Sequence, residues 1–252
     1  MDRMPSAHLV DPAHLASLVA RACALLSSEH RTLLGIAGAP GAGKTTLAEE
    51  LVAALQAGPP AGLGPGTAAH LPMDGFHLAD VQLDRLGLRG RKGAPETFDA
   101  HGYREVLDRI LADDGHPVFV PGFERRLEQP LAAALAIEPT ARLVVSEGNY
   151  LLLDEEPWSH FRERFAEVWF VDIVDDERLR RLVARHVEFG KPAAAAQAWA
   201  LGPDQVNADR VLASRDRADL VITPSDRPVP RLTPEVVPVL ARHRSRGHGP
   251  EE

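Results

Sequence analysis

The sequence predicts an α/β protein, a three-layer sandwich around a mainly parallel sheet. Three observations carry that expectation. Short apolar runs at 31–37, 68–73, 142–146, 167–172 and 219–222 alternate with helical patterns. The first run feeds straight into Gly38-Ala39-Pro40-Gly41-Ala42-Gly43-Lys44-Thr45 and then into a helix. Asp74 and Glu147 close two other runs, at the strand ends where open α/β sheets gather their ligands.

The elements follow in order. Asp11-Pro12 fits a helix N-cap and first position. Leu15, Leu18, Val19, Ala22, Leu25 and Leu26 then recur at helical spacing, so residues 1–30 read as a helical unit packed on the core. The strand at 31–37 leads to the glycine loop and a helix over 46–55. A Gly/Pro-rich loop at 56–66 precedes the second strand, which ends in Asp74-Gly75-Phe76-His77. A short helix at 79–88, a polar loop at 89–99 and an amphipathic helix at 100–112 come next. Residues 116–123 read as an extended or hairpin element passing into the charged segment 124–128. The strand at 142–146 ends in Glu147-Gly148-Asn149-Tyr150, and a short helix carrying Trp158 and Phe161 precedes the strand at 167–172. Helices opening at Asp175 or Asp176 and covering 193–201 and 205–214 form a lid spanning about 175–215. A last strand at 219–222 completes a main domain of 31–224, and 225–252 is a C-terminal tail.

Composition narrows the function. The net charge of −8 argues against a general nucleic-acid binder. Only three of 28 basic residues are lysine, so local cationic sites are mostly guanidinium forks. The single Cys23 permits no internal disulfide and fits a reducing, cytoplasmic setting. No apolar run reaches the ~18 residues of a membrane span, and the first residues lack a secretory pattern. A homodimer is left open.

The loop at 38–45 fits G-x-x-x-x-G-K-[ST], the phosphate-binding P-loop. Its glycines let backbone N–H groups turn inward around an anion, and the helix that starts near Thr46 aims its positive end there. Lys44 can reach the β- and γ-phosphates, and the Thr45 hydroxyl can ligate Mg²⁺. Asp74 is the candidate general base for a hydroxyl attacking the γ-phosphoryl group; the alternative is an Asx-turn before Gly75. His77 either touches substrate or is bonded within the turn. Glu147 is a candidate Mg²⁺ partner through water, or else a solvent-facing strand end. Arg178, Arg181 and Arg185 share one helix face, which either closes over phosphate or is a solvated basic face. Arg89, Arg91, Lys92, Arg125 and Arg126 suit an anionic or polyhydroxyl substrate, or form surface ion pairs.

Together these motifs resemble the phosphoribulokinase/uridine kinase family of P-loop kinases, from about Leu33 to Ile222. The resemblance rests on the P-loop, Met73-Asp74-Gly75-Phe76-His77, Arg91-Lys92-Gly93-Ala94-Pro95-Glu96-Thr97-Phe98-Asp99, Val145 to Leu152, Arg185-His186 and Asn207-Ala208. The loop at 92–99 is similar to that of type I pantothenate kinases. The resemblance implies a P-loop NTPase fold with a helical lid, and ATP-dependent phosphorylation of a small-molecule hydroxyl, with Mg²⁺. ATP would lie on Gly38 to Thr46, with Asp74, Lys44, Arg181 and Arg185 as the catalytic set. The acceptor, a nucleoside, sugar or pantothenate-like molecule, would meet Asp74, His77, Arg91, Lys92, Glu147 and Tyr150. The rival expectation is a nucleotide-binding regulatory protein that does not phosphorylate.

Overall fold

Strand β1 (Thr32–Gly38) lies at the centre of the molecule because both of its faces are apolar. Leu33 and Ala37 point to one side, Leu34 and Ile36 to the other, following the two-residue period of a strand. We describe residues 9–27 and 29–224 of a computed structural model. The expected tail at 225–252 and the first eight residues lie outside the described residues.

Strands β2 (Ala68–Pro72), β5 (Leu143–Glu147), β6 (Glu167–Val171) and β7 (Leu220–Ile222) join β1 in one sheet, in the order β2-β5-β1-β6-β7. Every pairing in it is parallel. Helices α1 (Pro12–Ala24) and α2 (Lys44–Ala57) cover one face, where Leu18, Leu47 and Leu51 pack on Leu34, Ile36 and Trp169. The other face takes helix α4 (Ala100–Ala112) and an aromatic cluster of Tyr103, Tyr150, Trp158 and Phe161. The chain is therefore a three-layer α/β/α sandwich. The Asp11 side chain caps α1 by accepting from the His14 N–H at 2.9 Å, as the Asp-Pro start predicts.

Two further parts complete the chain. Strands β3 (Val118–Glu124) and β4 (Gln129–Ile137) form a separate antiparallel hairpin. Helices α5 (Asp175–Glu188), α6 (Ala193–Leu201) and α7 (Pro203–Leu212) form the helical segment expected as a lid. The short helix α3 (Asp80–Leu86) and the loop after it border the hairpin, through the Asp80 N–H on the Gln129 side chain and Lys92 on the Glu128 carbonyl. No helix among the described residues is long and apolar enough to cross a membrane.

Two local expectations are corrected. The segment around Trp158 and Phe161 is a series of turns, with one 3-10 turn at Arg162–Arg164, instead of a helix. Pro157 lacks an N–H and His160 has φ 67°, so the i→i−4 ladder cannot propagate. Residues 129–137, given no element by sequence reasoning, form β4. Six consecutive β4 residues, from Leu131 to Ala136, are exposed, so no inside/outside alternation marks it as a strand.

Candidate active site

The strand order brings three strand ends side by side. The P-loop leaves β1, Glu147 ends β5, and Asp74 follows β2 in a 3-10 turn at Met73–Phe76. Register puts Glu147 level with Ile36 on one side and Pro72 on the other. Ser146 fixes this corner from below. Its Oγ donates to the Leu71 carbonyl at 2.7 Å and meets the Tyr103 hydroxyl at 2.6 Å.

The P-loop is closed by backbone. Gly41 and Gly43 have φ of 85° and 98°, a region that a side chain disfavours. A Cβ at Gly38 would lie 2.7 Å from the Val171 carbonyl oxygen, and one at Gly41 would lie 2.9 Å from that of Arg178. Gly43 caps α2 without a side-chain bond, so the first-turn N–H groups are left for an anion. Ala39, Pro40 and Ala42 complete the loop, and Thr46 lies in the first turn of α2.

Lys44 is buried, and its Nζ donates to the Ala39 carbonyl at 3.1 Å. Burial lowers its pKa to about 8, against the opposing pull of Glu147 and Asp74. The Thr45 hydroxyl donates to Glu147 Oε1 at 3.1 Å. Burial, reinforced by the charge of Asp74, raises the Glu147 carboxyl to about 7. A desolvated carboxylate and a hydroxyl side by side form an oxygen-only donor pair that suits Mg²⁺.

Asp74 accepts from Arg125 Nη2 at 3.3 Å through Oδ2. Burial pushes its pKa up, but His77, Arg125, Arg185 and Lys44 outweigh it and hold Asp74 below the ordinary value. Gly75 is needed for close approach: a Cβ there would sit 2.2 Å from the Pro121 carbonyl oxygen. The hairpin therefore lies directly on the Asp74 turn. His77 is held by a 2.7 Å contact from Nδ1 to the Asp74 carbonyl and is packed between Phe98 and Phe123.

Asp74, His77, Lys44, Thr45, Glu147, Lys92 and Arg185 all line one cleft of about 450 Å³. Lys92 Nζ donates to Asp80 Oδ1 at 2.7 Å and to the Glu128 carbonyl, and it stands over the Phe123 ring. Arg185 is one of the cations whose charge acts on Asp74.

Three sequence-predicted site residues are not among those lining that cleft. Arg91 points outward and pairs with Glu96. Tyr150 is fully buried among Phe98 and Trp158, and its hydroxyl donates to the Gly93 carbonyl; it supports the loop from behind. Arg181 donates to Glu177 Oε1 at 2.7 Å and is absent from the cleft lining, yet its Nη1 stands beside the P-loop, 3.4 Å from where a Cβ on Gly43 would lie. The i, i+3, i+7 face of α5 is thus divided among three tasks. Arg178 is buried and reaches the Pro40 carbonyl of the P-loop and the side chains of Asp175 and Gln205. Only Arg185 of the three faces the cleft.

Sequence reasoning missed much of the far wall. Phe123 and Glu128 of the hairpin line the cleft beside Arg125, which the sequence does offer for an anionic or polyhydroxyl substrate, as do His186, Phe189, Lys191, Trp199 and Asp204 of the helical segment. His186 Nε2 and Asp204 Oδ2, 2.7 Å apart, tie α5 to α7. The charged run at 124–128 was the available signal for the hairpin wall. Nothing in sequence spacing joined it to Asp74, 51 positions away.

A P-loop beside two successive carboxylate-bearing strand ends defines a P-loop phosphotransferase type of site. No protein-family model matches the chain. A Schizosaccharomyces pombe protein named "Putative uridine kinase C227.14" is 31% identical over 182 residues, covering 71% of this chain and 76% of its own. An Aspergillus versicolor protein named "ATP-dependent kinase-like protein notR'" is 36% identical over 152 residues, 57% of this chain and 88% of that one. A crystal structure described as a "putative fructose transport system kinase", from Silicibacter sp. TM1040, matches with TM-score 0.74 and 36% identity, over 82% of this chain and 98% of that one. The chain belongs to the phosphoribulokinase/uridine kinase family of P-loop kinases.

Proposed function

We propose that the protein is an ATP-dependent kinase that moves the γ-phosphoryl group onto a hydroxyl of a small molecule. The observation that carries this reading is the delivery of the P-loop, Glu147 and Asp74 by three neighbouring strand ends into one cleft. The kinase names of the relatives support the same class.

In this reading the first-turn N–H groups of α2 and Lys44 hold the ATP phosphates. Thr45 and Glu147 would hold Mg²⁺, Glu147 through water; when bound, the ion offsets phosphate charge. Asp74 Oδ1 accepts the acceptor's hydroxyl proton as the oxygen bonds to the γ-phosphorus and the bond to the ADP oxygen breaks. Arg185 approaches from α5 and offsets charge on the transferring group. Packing of the helical segment over the P-loop keeps water from competing as acceptor.

The test is ADP release from Mg-ATP with a panel of hydroxyl acceptors. A kinase releases ADP only with its acceptor, and a nucleotide-binding regulator releases it with none. Asp74→Asn is expected to keep ATP binding while turnover falls about 10²–10⁴-fold. Unchanged turnover would remove Asp74 from the base role.

A further inference from the structure

Three cations line the end of the cleft beyond Asp74: Arg89, Lys92 and Arg125. Two of them are engaged by carboxylates of their own wall. Arg89 pairs with Asp80 at 2.8 Å and Asp84 at 3.4 Å, and Lys92 pairs with Asp80 at 2.7 Å. Arg125 is different. Among the described residues Asp74 is its sole hydrogen-bond partner, through Nη2 alone. Its side chain is 33% exposed. Nε and Nη1 carry donors with no protein acceptor among the described residues, on a residue that lines the cleft.

We propose that Arg125 reads the acceptor, and that the acceptor bears an anionic group, carboxylate or phosphate, within a few bonds of the hydroxyl to be phosphorylated. The inference rests on the kinase reading above and narrows its substrate class. Asp74 uses Oδ2 for Arg125, which leaves Oδ1 for the hydroxyl proton. The planar guanidinium presents a second edge to the same space, and that edge matches carboxylate or phosphate oxygens. Base and anion reader are thus joined in one unit, so the two acceptor groups they bind must belong to a short molecule. A neutral acceptor leaves the free edge facing water alone.

The surroundings fit a short carbon chain. The His77 and Phe123 rings, 4.8 Å apart between centroids, give it an apolar surface to lie on. Glu128 lines the same end, and its carboxylate makes no hydrogen bond among the described residues. Its charge opposes an acceptor with several anionic groups and favours one with a single group beside the hydroxyl. Gly75 sets the position of the reader, because the hairpin strand that leads to Arg125 rests on that residue's backbone.

The test pairs each anionic acceptor with its neutral counterpart. Hydroxy-carboxylates are compared with their amides, sugar monophosphates with the parent sugars, and nucleosides are included as neutral controls. ADP release from Mg-ATP is measured for wild type and Arg125→Gln. The expected result is release with one anionic class, at a kcat/KM at least about tenfold above its neutral counterpart; the carboxylate and phosphate arms identify which class. Arg125→Gln should raise KM for that anionic acceptor about 10–100-fold, the usual effect of losing a charge-assisted bond. The anionic-to-neutral preference should then collapse, while KM for ATP stays within about twofold. A role confined to holding Asp74 would lower kcat for both members of a pair and leave the preference intact, which would overturn the inference. Equal rates with anionic and neutral members in wild type would overturn it and leave the kinase reading standing. Release with no compound, in protein that binds ATP, would remove the kinase reading and this inference together.

Discussion

The two walls of the cleft are built by different means. The P-loop wall is backbone: Gly41 and Gly43 at positive φ, an uncapped helix start, and a lysine folded onto a carbonyl. The hairpin wall is side chains: Arg125 on Asp74, Lys92 on Asp80, and Phe123 against His77. A backbone wall has one solution and recognises what all ligands of its class share, here phosphate. A side-chain wall can be changed one residue at a time, and it is where members of one fold come to differ in what they accept.

The contrast is tested most severely at Gly41. A Cβ there meets the Arg178 carbonyl oxygen at 2.9 Å, and φ of 85° strains any other residue. Gly41→Ala is expected to cost about 1–3 kcal/mol in stability. ATP affinity should fall about tenfold or more as the loop shifts, a change of roughly 1.4 kcal/mol or above. Thermal melting and titration calorimetry with Mg-ATP check both. If the Gly41→Ala variant binds ATP as well as wild type, the P-loop wall tolerates side chains and is not the rigid partner of the pair.

The same difference decides what could be read from sequence. The glycine pattern, the strand before it and the helix after it are contiguous, so short-range chemistry revealed them. Asp74 and Glu147 were legible because strand ends in an open α/β sheet share one edge. Helix α4 was legible to the residue, since Tyr103, Leu107 and Ile110 are buried at helical spacing. Strand β4 was not, because six exposed positions in a row carry no alternation. Its motif places Tyr150 at the acceptor, yet the core takes its ring and Gly93 takes its hydroxyl. Arg181 shares a helix face with Arg185, but Glu177, one turn back, holds its Nε, and its Nη1 turns to Gly43 of the P-loop, outside the cleft lining. Helical periodicity defines a face and says nothing about which of its residues a neighbouring carboxylate will hold.

Glu177 sharpens the comparison with a smaller effect. Hydrogen bonds from Arg180 and then Arg181 outweigh its partial burial and bring its pKa to about 2. The folded-state value lies below the ordinary 4.5, so the stability it contributes is present above that pH and is lost as pH falls toward about 2. Both arginines are more than a third exposed, so solvent screening limits the gain to about 0–1 kcal/mol. Glu177→Gln should therefore melt slightly earlier at pH 7, with the difference from wild type shrinking between pH 4.5 and 2. If releasing Arg181 also alters KM for ATP, the helical segment belongs functionally to the P-loop wall. An unchanged KM leaves Arg185 as its contribution.

The smallest effect is expected in the hairpin. Where the P-loop meets positive φ with glycine, the hairpin meets it with Glu128 at φ 54° and Ala133 at φ 53°. Ala133 is exposed, so replacing it by glycine removes almost no packing. Left-handed geometry costs an L-residue about 1–2 kcal/mol, and glycine in a strand costs about 0.5–1 kcal/mol in chain entropy. The difference leaves Ala133→Gly more stable by roughly 0.5 kcal/mol, read as a small rise in the thermal or urea midpoint. A fall instead would mean that the Ala133 side chain holds the β4 register, and that the hairpin wall is as dependent on one residue per position as the P-loop wall is on its glycines.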